Sequence, residues 1–249
     1  MTSAAEISSP FADARHRIIV ALDVDSEEKA LSLADTLRDS VGAFKIGLQL
    51  FTVGGPQLVE RFVTDGFKVF LDLKFHDIPN TVAKASLAAA RTGVWMFNLH
   101  ASGGMRMMRT AVEEVTGYCE RENMQRPVMI AVTVLTSSGS DTLAEQGIKQ
   151  DAQAQVVQLA RLAREAGMDG VVASAQEVTS VRSTVDNRNF LIVTPGIRSP
   201  SATVDDQRRV TTLRTALSAG SDYVVIGRPI TASSDPRQAV DQMLAELSQ

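Results

Sequence analysis

Short apolar runs alternate with amphipathic stretches along most of the chain, beginning at about residue 17. The first unit is IIVALDV at 18–24, which is nearly all apolar and rich in β-branched residues, and this predicts a buried strand. Between Ala30 and Leu37, apolar residues then recur at the i, i+3, i+4, i+7 spacing of one helix stripe. Asp25 or Ser26 is available as the N-terminal cap of that helix.

The same strand-then-helix unit repeats about eight times over about 230 residues. Strands are predicted at 18–24, 43–47, 67–75, 95–100, 128–135, 169–174, 190–196 and 222–227. Helices are predicted at 26–39, 56–64, 79–93, 104–122, 151–166, 176–184, 206–219 and 236–248.

Strands that are apolar on both faces indicate a parallel sheet covered on both sides. Eight such units without a linker favour a closed (β/α)8 TIM barrel, an α/β fold, as a single domain at 17–249. Residues 1–16 lack clear periodicity and are predicted to form an N-terminal arm. The alternative is an open Rossmann-like sheet, which is disfavoured because neither G-x-G-x-x-G nor a P-loop follows a predicted strand.

Composition narrows the class of protein. The 249 residues carry a net charge of −4, so general binding to nucleic acid or to an anionic membrane is not expected. One cysteine, Cys119, allows neither an internal disulfide nor a Cys-rich metal site. No apolar run is long enough for a membrane span, and MTSAAEISSP lacks the features of a secretory signal. We therefore expect a soluble, cytoplasmic protein.

Polar residues collect where the predicted strands end, which is where barrel enzymes carry their chemistry. These residues are Asp23, Lys45, Asp72, Lys74, His100, Thr136, Ser137, Arg198 and Arg228.

The third predicted strand is the most informative. Asp72 and Lys74 share one face of it, opposite an all-apolar face that should pack under the helices, so both are predicted to point into the barrel. Burying such ions unpaired costs several kcal/mol each. Asp77 follows just before Pro79, and a lysine flanked by two carboxylates stays protonated, which favours a general acid over a Schiff-base nucleophile. The alternative is a structural Asp72–Lys74 salt bridge with Asp77 as a turn acceptor.

Two glycine–arginine pairs predict a phosphate site. VTPGIR at 193–198 and IGRP at 226–229 lie in the loops after the seventh and eighth strands, where barrels commonly hold phosphate. Gln207 opens the following predicted helix, either reaching over a ligand or standing exposed. His76 and His100 lack metal-ligand spacing and are predicted either to support neighbouring site residues or to pack. Cys119 and the methionines within 105–108 are predicted to pack.

Together these motifs resemble the bacterial branch of the orotidine 5′-phosphate decarboxylase family, from about residue 17 to the C-terminus. The matching segments are ALDV (21–24), FKIG (44–47), DLKFHDIPNT (72–81), VTVLTS (132–137), TPGIR (194–198), DQRR (206–209) and IGRPIT (226–231). The resemblance implies conversion of orotidine 5′-monophosphate (OMP) to UMP, the last step of de novo pyrimidine synthesis. It also implies a homodimer that uses neither metal nor cofactor.

The resemblance also implies roles in catalysis. Lys74 is the proton donor, Asp72 lies beside the substrate carboxylate, and Lys45 completes an alternating charge array. Asp77 joins this array from the other subunit of the homodimer, as does Thr81, which contacts the ribose.

Further residues are implied to bind the substrate. Asp23 binds the ribose hydroxyls with Lys45, and Ser137 contacts the pyrimidine, with Thr136 in the same loop. The phosphate is held by Arg198, Gln207, Gly227 and Arg228, with Gln207 on a closing loop.

Two other functions remain open at this point. Metal-dependent sugar-phosphate enzymes, such as 3-keto-L-gulonate 6-phosphate decarboxylase and hexulose phosphate synthase, share the barrel and D-x-K-x-x-D. They bind magnesium partly through an acidic residue near the end of strand two, where this chain has Lys45. A non-catalytic nucleotide-binding barrel is the third hypothesis, and the intact set of Asp72, Lys74 and Asp77 disfavours it.

Overall fold

The structure is a computed structural model that describes residues 11, 13–185, 187, 189–198 and 211–248. Its strands are β1 (Ile18–Ala21), β2 (Ala43–Gly47), β3 (Val69–Phe75), β4 (Met96–His100), β5 (Val128–Val132), β6 (Gly170–Val172), β7 (Leu191–Thr194) and β8 (Tyr223–Ile226). Its helices are α1 (Glu27–Leu37), α2 (Leu48–Thr64), α3 (Pro79–Arg91), α4 (Gly104–Arg121), α5 (Ser140–Glu145), α6 (Ala152–Glu165), α7 (Val178–Thr184), α8 (Leu213–Ala219), α9 (Arg228–Thr231) and α10 (Pro236–Ala245).

The strands form a closed parallel barrel in chain order. Each strand pairs with the next, and β8 returns to β1 with Val225 opposite Ile19. The predicted TIM barrel is confirmed, and the alternative of an open sheet is wrong. In this fold the carboxyl ends of all strands meet at one face, where the loops to the helices begin.

Two apolar layers hold the barrel together. Side chains that point inward, such as Ile19, Phe70 and Val225, pack inside the ring of strands. The alternate residues, such as Val20 and Leu71, point outward and pack against the helices in a much larger cluster. This alternation is the period-2 geometry of a strand, and it explains why strands buried on both faces have continuous apolar sequences.

Several strands end earlier than their apolar runs predict. The run at 18–24 leaves the sheet after Ala21, and the run at 128–135 leaves it after Val132. The extra residues continue into loops around the carboxyl ends of the strands, where Val134 and Leu135 line a cavity. The apolar runs therefore overestimate the lengths of these two strands, and among the extra residues Leu22 and Val134 are buried whereas Leu135 is exposed.

Helix α2 begins eight residues before the predicted 56–64 segment, at Leu48. Gly55 interrupts it with φ 62°, immediately before Pro56. Proline has no N–H to donate and fits the first turn of a helix, so α2 consists of two segments joined at this kink. The prediction captured only the second segment. Likewise, α8 covers only the end of the predicted 206–219 helix, whose residues 206–210 lie outside the described part of the chain.

The amino-terminal ends of the strands carry two Asp–Arg contacts. Before β8, Asp222 accepts hydrogen bonds from the Ile192 N–H at 2.6 Å and from the Arg182 guanidinium. Before β6, Asp169 accepts from the Met129 N–H at 2.7 Å and from Arg126 at 2.7 Å. Each carboxylate therefore connects the segment that precedes its own strand to the start of the previous strand in the barrel.

A short 3-10 turn, Ala14–Arg17, precedes β1 and spans the predicted boundary between the arm and the barrel. Ala14 is buried in the outer apolar layer, and the Arg17 Nε donates to the Asp222 carbonyl at 2.8 Å. Within the described ranges, no helix has both the length and the apolar character needed to cross a membrane.

Candidate active site

A cavity of about 440 Å³ opens at the carboxyl ends of the strands. Its floor is apolar and includes Phe70, Val132, Val172 and Val225. Its walls bring together most of the predicted site residues: Asp23, Lys45, Asp72, Lys74, Thr136, Arg198, Gly227 and Arg228.

Four predicted residues do not line this cavity in the described structure. Asp77, Thr81 and Ser137 are exposed outside it, and Gln207 lies outside the described residues. The Asp77 carboxylate accepts a hydrogen bond from the N–H of Ile78 at 2.6 Å. Of the two carboxylates expected to flank Lys74, only Asp72 does so within one chain, because Asp77 lies in the turn before α3.

Charges alternate along one wall of the cavity. The Lys45 Nζ lies 3.3 Å from the Asp23 Oδ1 and 3.2 Å from the Asp72 Oδ2. The Lys74 Nζ lies 2.7 Å from the Asp72 Oδ1. The order is therefore carboxylate, ammonium, carboxylate, ammonium, on residues from β2, β3 and the loop after β1. Because neighbouring signs are opposite at every step, all four groups can remain charged together.

Burial and charge act in opposite directions on the middle two groups. Burial alone would raise the pKa of Asp72, whose side chain is 11% exposed, but the charges of Lys45 and Lys74 and hydrogen bonds from Lys74 and Asn98 hold that pKa below its ordinary value. Burial alone would lower the pKa of Lys45, but Asp72 and Asp23 raise it above its ordinary value. Both groups are therefore charged at neutral pH.

The end of β3 has an unusual backbone. Phe70 and Leu71 pair regularly with β4, and the register then shifts before Phe75. Lys74 lies within this irregular segment and has φ 53°, in the left-handed region that lysine rarely occupies. Its N–H donates to the side-chain oxygen of Asn98 at 2.8 Å. The Asn98 amide nitrogen in turn donates to the Asp72 Oδ1 at 2.7 Å.

Asn98 and Gly47 support the site but were not predicted from the sequence. The signal for Asn98 was a single amide inside the otherwise apolar strand WMFNLH at 95–100. Gly47 is buried, and a Cβ at this position would lie 2.9 Å from the Lys45 Nζ. A glycine that ends the second strand, two residues after a buried lysine, was the available signal. Its missing side chain leaves the space that the Lys45 ammonium fills.

The second wall contains the two predicted glycine–arginine loops. Gly196, with φ 83°, and Arg198 follow β7, while Gly227 and Arg228 follow β8. The Arg198 N–H is held by the Thr211 carbonyl at 2.9 Å. A Cβ at Gly227 would project to 3.8 Å from the Asp23 Oδ2, so glycine here keeps that part of the cavity open. Two guanidinium groups beside accessible backbone are suited to bind a phosphate.

Of the residues predicted to pack, His76 is exposed and the others are buried or half-buried. The His76 and His100 ring centroids are 5.4 Å apart, and burial, followed by the charges of His76 and Lys74, lowers the pKa of His100. Cys119 is buried in the outer apolar layer, as are Met107 and Met108. Among the described residues, no group of three or more His, Cys, Asp and Glu side chains could hold a metal ion.

The chain is similar to known proteins of one family. Residues 16–243 match the model of the family described as "Orotidine 5'-phosphate decarboxylase / HUMPS family". The chain belongs to this family. A curated member from Legionella pneumophila (strain Paris), named orotidine 5′-phosphate decarboxylase, is 52% identical over 231 residues, or 93% of this chain and 99% of the relative. One of the same name from Saccharophagus degradans is 50% identical over 232 residues, or 93% of this chain and 95% of the relative.

Solved structures also resemble this chain. The crystal structure of orotidine 5′-phosphate decarboxylase from Lactobacillus acidophilus is 36% identical, with a TM-score of 0.81, and the match covers 93% of this chain and 99% of that one. An uncharacterized conserved protein from Geobacillus kaustophilus is also 36% identical, with a TM-score of 0.80, and the match covers 92% and 99% of the two chains.

Proposed function

We propose that this chain decarboxylates OMP to UMP and CO2 in pyrimidine biosynthesis, as a carboxy-lyase that uses neither metal nor cofactor. The observation that carries the proposal is the alternating chain Asp23–Lys45–Asp72–Lys74 in a cavity that also contains two arginines. The names of the curated relatives support the same reaction.

In the proposed reaction, Asp72 lies beside the carboxylate of OMP. Two like charges about 4 Å apart repel by about 4 kcal/mol at an effective dielectric constant of about 20. When the C6–carboxylate bond breaks, CO2 leaves and the electron pair stays on C6, so this repulsion disappears. The Lys74 ammonium stabilises the carbanion and gives it a proton, forming the C6–H bond of UMP. The resulting amine regains a proton from solvent.

The other predicted site residues, most of which line the cavity, are proposed to bind the nucleotide. Asp23 and Lys45 bind the ribose hydroxyls, and Ser137 binds the pyrimidine, with Thr136 in the same loop. The phosphate is held by Arg198, Gln207, Gly227 and Arg228. Because phosphate binding lies far from the breaking bond, its free energy can be used to close the site and to raise the chemical rate.

We propose that the active protein is a homodimer in which Asp77 and Thr81 complete the partner's site. Both residues are exposed near the start of α3 and make no contact with the cavity of their own chain. Large apolar side chains are also exposed on the segments that follow β2 and β3, including Ile78 at 67% and Leu48 at 59%. Such a surface next to an active site is suited to bury itself against a second copy.

We propose a mechanism without a metal because of the position of Lys45. Its ammonium contacts both the Asp23 and Asp72 carboxylates, which a divalent cation would otherwise need as ligands. We also propose a cytoplasmic location, which fits a chain whose one cysteine is buried and free.

A direct absorbance assay tests the proposed function. We expect purified protein to consume OMP and form UMP at the same rate with and without a chelator. Turnover of a sugar phosphate that is lost in chelator and recovers on adding magnesium, in protein that does not consume OMP, would instead support a metal-dependent sugar-phosphate enzyme. Tight UMP binding without any turnover would support a nucleotide-binding barrel.

A further inference from the structure

Asn98 lies behind the charged wall of the cavity and contacts two residues of that wall. It is the central residue of β4 and is 1% exposed. Its amide oxygen accepts the Lys74 N–H at 2.8 Å, and its amide nitrogen donates to the Asp72 Oδ1 at 2.7 Å. Asn98 is not among the residues that line the cavity. Any effect that it has on the reaction must therefore pass through Asp72 and Lys74.

The pairing of β3 with β4 explains why an amide is needed here. Leu71 pairs with Phe97, and Phe75 pairs with Leu99, so three residues of β3 face the one residue Asn98. The Lys74 N–H cannot reach a regular backbone acceptor across this bulge, and the Asn98 side chain takes that place. The positive φ of Lys74 persists only if its surroundings hold it there.

Asn98 also fixes the Asp72 carboxylate. The Asp72 Oδ1 receives both the Asn98 amide and the Lys74 ammonium, while the Oδ2 faces Lys45. An aspartate at position 98 would keep an acceptor for Lys74 but would lose the donor to Asp72. A leucine of similar size would offer neither group.

We infer that Asn98 is a positioning residue for the decarboxylation, holding the Lys74 backbone and the Asp72 carboxylate so that both charged groups face the bound substrate. This inference rests on the proposed function. It assigns Asn98 a role in the reaction although the Asn98 side chain does not line the cavity. Because misplacing a reacting group by about 1 Å can cost about 10²-fold in rate, the effect should fall on kcat.

The test compares Asn98→Leu and Asn98→Asp with the wild-type protein. We measure kcat and KM for OMP, the dissociation constant for UMP, and the melting temperature. Ser221→Ala is the matched control, because Ser221 is also fully buried and hydrogen-bonded, to Thr194 at 2.7 Å, but is not part of the proposed machinery.

We expect kcat to fall about 10²-fold in Asn98→Leu and at least about tenfold in Asn98→Asp, with UMP affinity within about threefold of wild type in both. Ser221→Ala should lower the melting temperature and leave kcat unchanged. If Asn98→Leu fails to fold, Asn98→Asp decides, because it preserves the size of the side chain. A variant that folds and has the wild-type kcat overturns the inference and leaves the proposed function intact. Wild-type protein without turnover overturns both.

Discussion

The Lys74 Nζ lies 2.7 Å from the Asp72 Oδ1, although the two residues are separated by only one position in the same strand. In a regular strand, side chains at i and i+2 project side by side from Cα atoms about 6.6 Å apart. Here the bulge and the positive φ of Lys74 accompany the convergence of the two charged ends. Removing two ions from water for this contact is a poor route to stability, so the arrangement favours a chemical role.

Truncating Lys74 tests the proposed proton donor. Lys74→Ala should lower kcat by about 10³-fold or more, because both the stabilising charge and the acid are lost. UMP should still bind with measurable affinity, as followed by isothermal titration calorimetry. Lys84→Ala is the control, because Lys84 is exposed on α3 and pairs with Glu114 at 2.6 Å. Similar small effects of both variants on turnover would contradict the role of Lys74.

Arg228 tests the proposed phosphate site. Arg228→Ala should raise KM for OMP by about 10- to 100-fold, because a hydrogen bond between charged groups contributes about 1.5–3 kcal/mol. Steady-state kinetics and UMP titration measure the loss. Arg161→Ala, at an exposed position on α6, should leave both quantities unchanged. If Arg228→Ala lowers kcat while UMP binds as before, the phosphate assignment is wrong.

Mixing two inactive variants tests the shared site. Lys74→Ala and Asp77→Asn should each be nearly inactive as pure proteins. In a mixed dimer, one of the two sites combines Lys74 from the Asp77→Asn subunit with Asp77 from the Lys74→Ala subunit. About half of the dimers in an equal, refolded mixture are mixed, so about a quarter of the wild-type activity should return. No recovery, in a mixture shown by native mass spectrometry to contain mixed dimers, would place Asp77 in its own chain's site, and full activity of pure Asp77→Asn would place it outside catalysis.

The pKa of Asp72 predicts part of the acid sensitivity of the protein. A carboxylate whose pKa is lower in the folded state stabilises the fold above its unfolded value of about 3.9, and this stabilisation is lost as the pH falls through the folded value. The stability difference between wild type and Asp72→Asn should therefore shrink on acidification below about pH 4, by at most about 1.4 kcal/mol per pH unit.

Urea unfolding at fixed protein concentration measures this difference between pH 6 and 2. Asp25→Asn provides the control, since Asp25 forms an exposed ion pair with Lys29 at 2.7 Å and should show a much smaller pH-dependent effect. A difference between wild type and Asp72→Asn that is constant over this range would show that Asp72 has the same pKa in the folded and unfolded states.

Substitutions at the amino-terminal face of the barrel should change the stability of the fold without changing the rate of the reaction. Asp222→Ala removes the partner of the Ile192 N–H and of Arg182, and should lower the free energy of unfolding by about 1–3 kcal/mol. The kcat for OMP should not change. Asp241→Ala is the comparison, because the Asp241 carboxylate makes an exposed contact with Arg15 at 3.4 Å, and it should be nearly neutral. Loss of turnover in folded Asp222→Ala would mean that the two faces of the barrel are coupled.

The sequence by itself determined the repeating strand–helix units, the closed barrel and the face of β3 that carries Asp72 and Lys74. These features follow from the spacing of apolar and polar residues within single segments, and this spacing can be read from the sequence alone. Only the tertiary structure decided that Lys45 lies between Asp23 and Asp72, that Asn98 supports Lys74 across a bulge, and that Asp77 does not line its own chain's cavity. Such contacts join residues 20 or more positions apart, and they depend on the register and closure of the barrel, which no single segment encodes.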